Sequence, residues 1–435
     1  MSNRILRSLL ATALLFPGAS CTPALRPHSS AMHADSTAIR RDIEFLASDQ
    51  LEGRLAGTPG NDSAAAYLAR RYRSLGLTEL VPGYLQPFNA LSAQDAHMGR
   101  TAPRPTQNVV ALLRGRDSAL RDDYIVIGAH FDHLGRSAVF ALDPAAGDAI
   151  RNGADDNASG TAAVLDLARL LAANPPRRSV IFVNFSAEEL GVLGSSWFVS
   201  HSPVAPASII AMLNFDMVGR LRNDKLIVFG TSTATELKGI VDSANAAGAA
   251  AGSAKLRVTS GGDGYGPSDQ SSFYAKDIPV LHFFTDLHED YHRATDDADK
   301  INAAGEARVV DLALRVVREL ADRPARLTFV RIAPPARTSV SEEGRQTYLG
   351  TIPDMGASET KGLRLTGVRA GSPADLGGLK ADDVIVELGG APVKDLYSYS
   401  DALYAHRPGD VVKIVVLRGA QRLELTVTLG RRGGG

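Results

Sequence analysis

Hydrophobic positions along this chain fall into three successive patterns. From Thr37, IRRDIEFLASDQLEGR places Ile39, Ile43, Phe45 and Leu46 at helical spacing. GTPGNDSAAAYLARRYRSLGL then predicts a second helix, capped near Asn61 or Asp62 and stopped at Gly76. From Asn108 the pattern changes to short apolar runs bounded by turns: NVVALL, YIVIGAH, SVIFVNF, IIAMLNFD, KLIVFG and IPVLHFF. Helix-like stretches separate them, most clearly residues 161–173, 233–247 and 306–322. Strands apolar on both faces that alternate with helices predict an α/β sheet covered on both sides, with sites beyond the carboxyl ends of its strands. After Arg323-Pro324 the alternation stops, and residues 332–344 read as a linker rich in Pro, Arg, Ser and Glu. Short strands (LRLTGV, DVIVEL, VVKIVVL, LELTVTL) with helices near 374–379 and 396–403 then predict a small, mostly-β domain.

With 435 residues, 44% hydrophobic and 22% charged, the chain has room for two or three domains. Its net charge of −1 gives no argument for nucleic acid or for a polybasic membrane surface. Arg4 and Arg7, the apolar run 9–16 and the small residues before Cys21 have the layout of a secretory signal. That run is far shorter than the roughly 20 residues a membrane span needs. Cys21, the only cysteine, stands where a bacterial lipoprotein signal places its lipidated residue, although Pro17 and Gly18 fit such a signal poorly. It is either a lipid anchor or discarded with the signal, and the mature chain has no disulfide. The expected organisation is a signal at 1–21, a tether at 22–36, a main domain at 37–325, a linker at 326–338 and a second domain at 339–432. The expected location is the bacterial periplasm or cell envelope, or the medium.

Acids and histidines gather at the predicted strand ends. YIVIGAH delivers His130, followed by Asp132, and a carboxylate beside a ligand histidine fixes its tautomer and raises its basicity. GADDNASG holds Asp155 and Asp156 ahead of a helix, Glu188 and Glu189 follow SVIFVNF, Asp216 ends IIAMLNFD, and His292 lies in EDYHRATDDADKI. Each alone has an ordinary explanation: surface polarity, a helix cap, a charged first turn. Together, two imidazoles, one candidate bridging carboxylate and two terminal carboxylates suit two zinc ions roughly 3.5 to 4 Å apart, a spacing hydrolases use.

GAHFDHLG, GADDNASG, FSAEELGVLGS, LNFDMVGR and DYHRATDDADKI, in that order, resemble the motif series of the di-zinc aminopeptidases of metallopeptidase family 28, over about residues 37–322. The resemblance implies a zinc exopeptidase fold with a mixed, largely parallel sheet, and two Zn2+ as cofactors. It implies His130 and Asp216 on one zinc, Glu189 and His292 on the other, and Asp156 between them. It further implies Glu188 as general base on a zinc-activated water, Asp132 as the orienter of His130, and Tyr291 at a position that stabilises the oxyanion in some relatives. Peptide substrates and N-terminal hydrolysis follow; carboxypeptidase or glutaminyl cyclase activity on the same fold, or peptide binding without catalysis, are the alternatives. Gln270, in PSDQSSFYAKDIPVL, departs from a position where histidine is common. His133, His282 and His288 fall off the ligand positions and read as supporting or structural. Trp197 and Phe198 read as core. YLGTI followed by VRAGSPADLGGLKADDVIVELGG resembles a PDZ domain, which implies that Leu349, Gly350 and Thr351 cup the carboxylate of a C-terminal peptide, unless the domain only shields the catalytic unit.

Overall fold

The computed structural model describes residues 33–91, 102–137, 141–252, 254–332, 347–353, 362–369, 371–394 and 396–431. The expected signal with Cys21, most of the tether, the end of the linker and residues 339–346 lie outside them.

Helix α1 (Ser36–Leu46) is capped by Asp35, whose carboxylate accepts from the Thr37 and Ala38 N–H groups. Helix α2 (Pro59–Ser74) begins earlier than the sequence pattern indicates. Thr58 is its cap and Pro59 its first residue, where a missing N–H is harmless, so Asn61 lies inside the first turn, buried. Residues 33–36, expected in the tether, are held against the main domain: Ala34 N–H donates to Asp311 and Asp35 N–H to Asp166.

The strands that follow are β1 (Thr78–Glu79), β2 (Leu85–Ala90), β3 (Arg104–Leu113), β4 (Tyr124–His130), β5 (Ser179–Phe185), β6 (Ile209–Phe215), β7 (Lys225–Phe229), β8 (Arg257–Gly261) and β9 (Val280–Phe284). They form one sheet in the order β1-β3-β5-β4-β6-β9-β7-β8, with β2 also paired to β3. The central strands β5, β4, β6 and β9 are mutually parallel. The margins are mixed: β1, β2 and β5 run antiparallel to β3, and β7 antiparallel to β9. Alternate residues of the central strands enter different cores. Ile125, Ile127, Val180 and Phe182 pack with α1, α2, α3 (Gly160–Ala173), α5 (Leu237–Ala250) and α7 (Ala303–Asp322). Val126, Ile181, Val183 and Phe185 pack on the other face with Phe198 of α4 (Leu193–Ser200) and Phe273 of α6 (Gln270–Tyr274). That two-sided burial is why these strands are apolar throughout.

Strand β4 lies between β5 and β6, so the connections after β4 and β5 leave toward opposite sides of the sheet. A crevice therefore opens at the carboxyl ends of these strands. Residues 327–332, expected in the linker, run along the main domain, where Phe329 bridges to Ala234 and Val330 N–H donates to the Thr233 carbonyl.

The second domain pairs β10 (Thr347–Tyr348) with β17 (Gly430–Arg431). A further sheet is ordered β11 (Thr351–Pro353), β12 (Leu363–Val368), β13 (Val384–Leu388), β15 (Val411–Arg418) and β16 (Gln421–Thr428), with β14 (Ala391–Pro392) on β13. Helices α8 (Pro373–Leu376) and α9 (Leu396–Tyr404) complete it around an apolar core that includes Leu365, Ile385, Ile414 and Val416. Among the described residues no helix is long and apolar enough to cross a membrane.

Candidate metal centre

Five ligand-type side chains converge at the carboxyl ends of the parallel strands. His130 is the last residue of β4; Glu189 and Asp216 follow β5 and β6, and His292 follows β9. Asp156 comes from the turn between β4 and α3. Gly153 opens that turn at φ +56°, where a Cβ would lie 2.0 Å from the Asp156 carbonyl oxygen. The two adjacent aspartates then part. Asp155 turns inward, accepting from the Gly219 N–H at 2.7 Å and facing His288 Nε2 at 3.1 Å, while Asp156 faces both His130 and His292.

The spacings fit a metal. Nε2 of His130 is 3.4 Å from Asp156 Oδ1 and 3.6 Å from Asp216 Oδ1. Nε2 of His292 is 3.2 Å from both Asp156 Oδ2 and Glu189 Oε2. Donors about 2.0–2.2 Å from a tetrahedral zinc stand about 3.3 Å from each other, so the spacings within each triad are those of donors around such an ion, and one oxygen of Asp156 belongs to each triad. His130 Nε2 is buried with no hydrogen-bond partner in the described structure. An imidazole lone pair stranded among carboxylates is what a metal position requires.

The electrostatics agree. Burial alone lowers the basicity of His130, but Glu188 and Asp216 raise its pKa well above the ordinary value; His292 is raised likewise against its burial by Glu189 and Asp156. Burial would raise Asp156, yet the imidazoles of His130 and His292 beside it hold it well below the usual carboxylate range. For Glu189 burial likewise acts upward, and the charge of His292 brings it down to about 2. The surrounding carboxylates thus favour positive charge at this place, which is what divalent cations would supply.

Glu188 parts from its neighbour Glu189, a divergence permitted by the turn after β5, in which Ala187 has φ +59°. Burial, opposed by His130 and assisted by Glu189, Asp269 and Asp216, raises Glu188 well above the usual range. Asp132 accepts the Glu188 main-chain N–H at 3.1 Å. His130 Nδ1 is nearer the Asp132 main-chain carbonyl, at 3.2 Å, than its carboxylate, at 3.7 Å. Tyr291 stacks on His292 at 3.9 Å between ring centroids. Burial and the surrounding carboxylates, Asp156 and Glu189 foremost, push its hydroxyl well above its ordinary value.

Several residues hold this arrangement without being legible as site residues. Arg54, wholly buried, donates to the carbonyls of Leu46, Phe131 (2.8 Å), Asn152 (2.6 Å) and Gly153 (3.0 Å), tying α1 to the segments that carry His130 and Asp156. Asp296 accepts the Asp155 and Asp156 N–H groups at 2.9 and 3.0 Å. Ser268 donates to Asp216 at 2.7 Å and accepts from Asn214, which also donates to Gln270. Gln270 thereby serves the support of Asp216. His133, read from sequence as supporting or structural, is a further ligand-type side chain grouped with Asp156 and Glu189, its Nδ1 2.7 Å from Glu189 Oε1 and 3.9 Å from Asp156 Oδ2. The sequence signal for Arg54 and His133 was their place inside EGR and HFDHLG; which carbonyl or carboxylate each would meet depends on chain crossings that no local pattern encodes.

In the second domain, Gly350 has φ +86° and a Cβ there would sit 2.2 Å from Ser372 Cβ. The Leu349 and Gly350 carbonyls accept from Ala374 and Arg369, and Thr351 shares a 2.6 Å hydrogen bond with Tyr399 of α9. In the sheet order β11 is a terminal strand.

Comparison with known proteins accords with both domains. Residues 108–317 match peptidase family M28 and residues 348–429 match the PDZ domain. Aminopeptidase YwaD of Bacillus subtilis is 25% identical over 241 residues, 54% of this chain and 49% of the relative. The chain spans less than half the length of the curated relatives it matches. The solved zinc aminopeptidase BSAP from Bacillus subtilis shares the fold at TM-score 0.51 and 18% identity, covering 66% of this chain and 96% of that one. A Bacteroides thetaiotaomicron glutaminyl cyclase does so at TM-score 0.54 and 19% identity, covering 66% and 99%. The chain therefore carries a domain of peptidase family M28, followed by a PDZ domain.

Proposed function

We propose that this protein is an exported, zinc-dependent aminopeptidase that removes N-terminal residues from peptides, with two zinc ions held by His130, Asp216, Glu189 and His292 around Asp156. The observation that carries the reading is the pair of donor triads with edges of 3.2–3.6 Å sharing Asp156. Zinc bound there supplies Lewis acidity, polarising the scissile carbonyl and making water a nucleophile at neutral pH. Glu188 takes the proton of the attacking water and returns it to the leaving amine, a role its elevated pKa suits. Asp132 holds the Glu188 main chain and the His130 ring in register. Tyr291, kept protonated by burial and by its carboxylate surroundings, is a donor at neutral pH and suits the developing oxyanion.

The test is hydrolysis of aminoacyl-nitroanilides with and without a chelator, alongside zinc analysis. Chelator-sensitive turnover with two zinc ions bound is expected. Two bound zinc ions with no turnover across a broad panel, but release of C-terminal residues from peptides, would establish the carboxypeptidase reading. Ammonia release from N-terminal glutaminyl peptides would establish the cyclase reading that the 0.54 fold match keeps in view.

For the PDZ domain we propose capture of a C-terminal peptide as an added strand on β11, with the carboxylate at Leu349–Gly350–Thr351. The terminal position of β11 in its sheet supports this. Calorimetric titration of the full chain with diverse C-terminal peptides tests it, and no binding by any of them favours a shielding role.

A further inference from the structure

The Glu189 carboxylate is approached by two imidazoles, and they approach in different ways. His292 Nε2 lies 3.2 Å from Oε2 and 3.2 Å from Asp156 Oδ2. His133 Nδ1 lies 2.7 Å from Oε1 and 3.9 Å from Asp156 Oδ2. Two donors of one tetrahedral zinc stand about 3.3 Å apart. Charge-assisted N–H···O⁻ hydrogen bonds are about 2.7–2.9 Å long. The His292 distances are therefore those of a fellow ligand, and the His133 distance is that of a proton donor.

The His133 ring has no freedom to change this. It is fully buried, Gly153 lies against it so closely that a Cβ there would be 2.5 Å from its Cγ and Cδ2, and it meets the His292 ring edge-on at 5.8 Å. Its Nε2 is buried without a hydrogen-bond partner in the described structure, so the contact with Glu189 is the one side-chain hydrogen bond of the ring found there.

We propose that His133 is a positioning residue for the second zinc: its Nδ1–H holds Glu189 Oε1, so that Oε2 is the oxygen presented beside Asp156 and His292. The inference rests on the two-zinc reading. A carboxylate free to rotate would present either oxygen, or both, to the metal. Fixing one oxygen lowers the ordering cost of metal binding and sets the shell as monodentate on that side.

The experiment is competitive titration of the metal-free full chain with zinc against a chromophoric chelator, on wild type, H133F, H133N, H133Q and H292A, with circular dichroism and thermal melts of the metal-free proteins as fold controls. Asn places an amide donor near the Nδ1 position and Gln near the Nε2 position. The expected result is an unchanged first zinc and a second zinc weakened about 10- to 100-fold in H133F, restored to within a few-fold by H133N and less by H133Q. Wild-type affinity for both zinc ions in H133F would overturn the proposal, leaving the ring a packing role. H133F and H133N both binding a single zinc while H292A binds two would overturn it by making His133 a ligand. Should H133F fail to fold, the pair H133N and H133Q decides, with equal or reversed affinities counting against the proposal. A wild type binding fewer than two zinc ions overturns the two-zinc reading, a failure visible before any variant is compared.

Discussion

The two domains treat buried polarity in opposite ways. The M28 domain buries Arg54, His130, Asp132, His133, Asp155, Asp156 and Asp269, most of them at or near the carboxyl ends of its parallel strands. Among the described residues of the PDZ domain the buried polar side chains are Thr347, Ser372 and Asp383, and Asp383 is held by Arg418 at 2.7 and 2.8 Å. Gathering ionisable groups in a dry crevice costs folding free energy, and the arrangement persists where a cation offsets it. A strand-accepting groove has no such need. It requires a backbone edge, a glycine in the left-handed region and an apolar core to hold both. The first kind of site is fragile to single polar changes, the second to loss of packing.

The largest effect is expected at Glu188. Glu188→Gln should lower kcat by about 10²- to 10⁴-fold while zinc content, measured by elemental analysis, stays at the wild-type value; a loss of metal would instead make this side chain a ligand. Next comes Arg54→Met, which strands the carbonyls of Leu46, Phe131, Asn152 and Gly153. At about 1–3 kcal/mol for each buried group left unsatisfied, destabilisation on the order of 5 kcal/mol is expected in denaturant titrations. Removing zinc with a chelator should lower the stability of the M28 domain by about 4 kcal/mol relative to a thousand-fold excess over Kd. In calorimetry the PDZ transition should not move, and a common shift of both would break the contrast. Conversely, Leu365→Ala in the PDZ core should cost that domain about 2–5 kcal/mol with nitroanilide turnover unchanged.

The expected effect confined to the narrowest conditions is at His282, packed between Phe229 and Phe284. Burial, opposed by Asp216, lowers its pKa from 6.5 to about 4. The folded state thus resists a proton that the unfolded chain accepts, so its contribution is fully present above pH 6.5 and is lost as the pH falls toward 4. In metal-free protein, His282→Phe should flatten the stability profile in that window and leave it unchanged above. A parallel offset across all pH values would mean that the substitution acts through packing alone.

The central strands were legible because both faces are buried and the apolar runs are unbroken. The margins were not. Strand β2, LQPFNA, contains a proline and alternates between exposed and buried positions, and β8, RVTSG, has no apolar run because it lies at the end of the sheet. The α2 cap moved from Asn61 to Thr58 because Pro59 favours the first helical position, while the Asn61 side chain is taken up by the Arg54 carbonyl at 3.1 Å. At the centre, the residue types and their order implied which side chains belong together. Nothing in HFDHLG distinguishes the histidine at the candidate metal position, His130, from the one hydrogen-bonded to a neighbouring carboxylate, His133.

By itself the sequence determined the α/β alternation, the second β-rich domain and the placing of acids and histidines after strands, because burial period and chain order are local properties. Tertiary structure decided which of two neighbouring carboxylates faces which imidazole: Asp156 rather than Asp155 toward His130 and His292, and Glu189 toward His133 and His292. Those choices depend on distances between segments joined only by the sheet order and by contacts such as those of Arg54 and Asp296, and a few tenths of an ångström there separate a metal ligand from a hydrogen-bond donor.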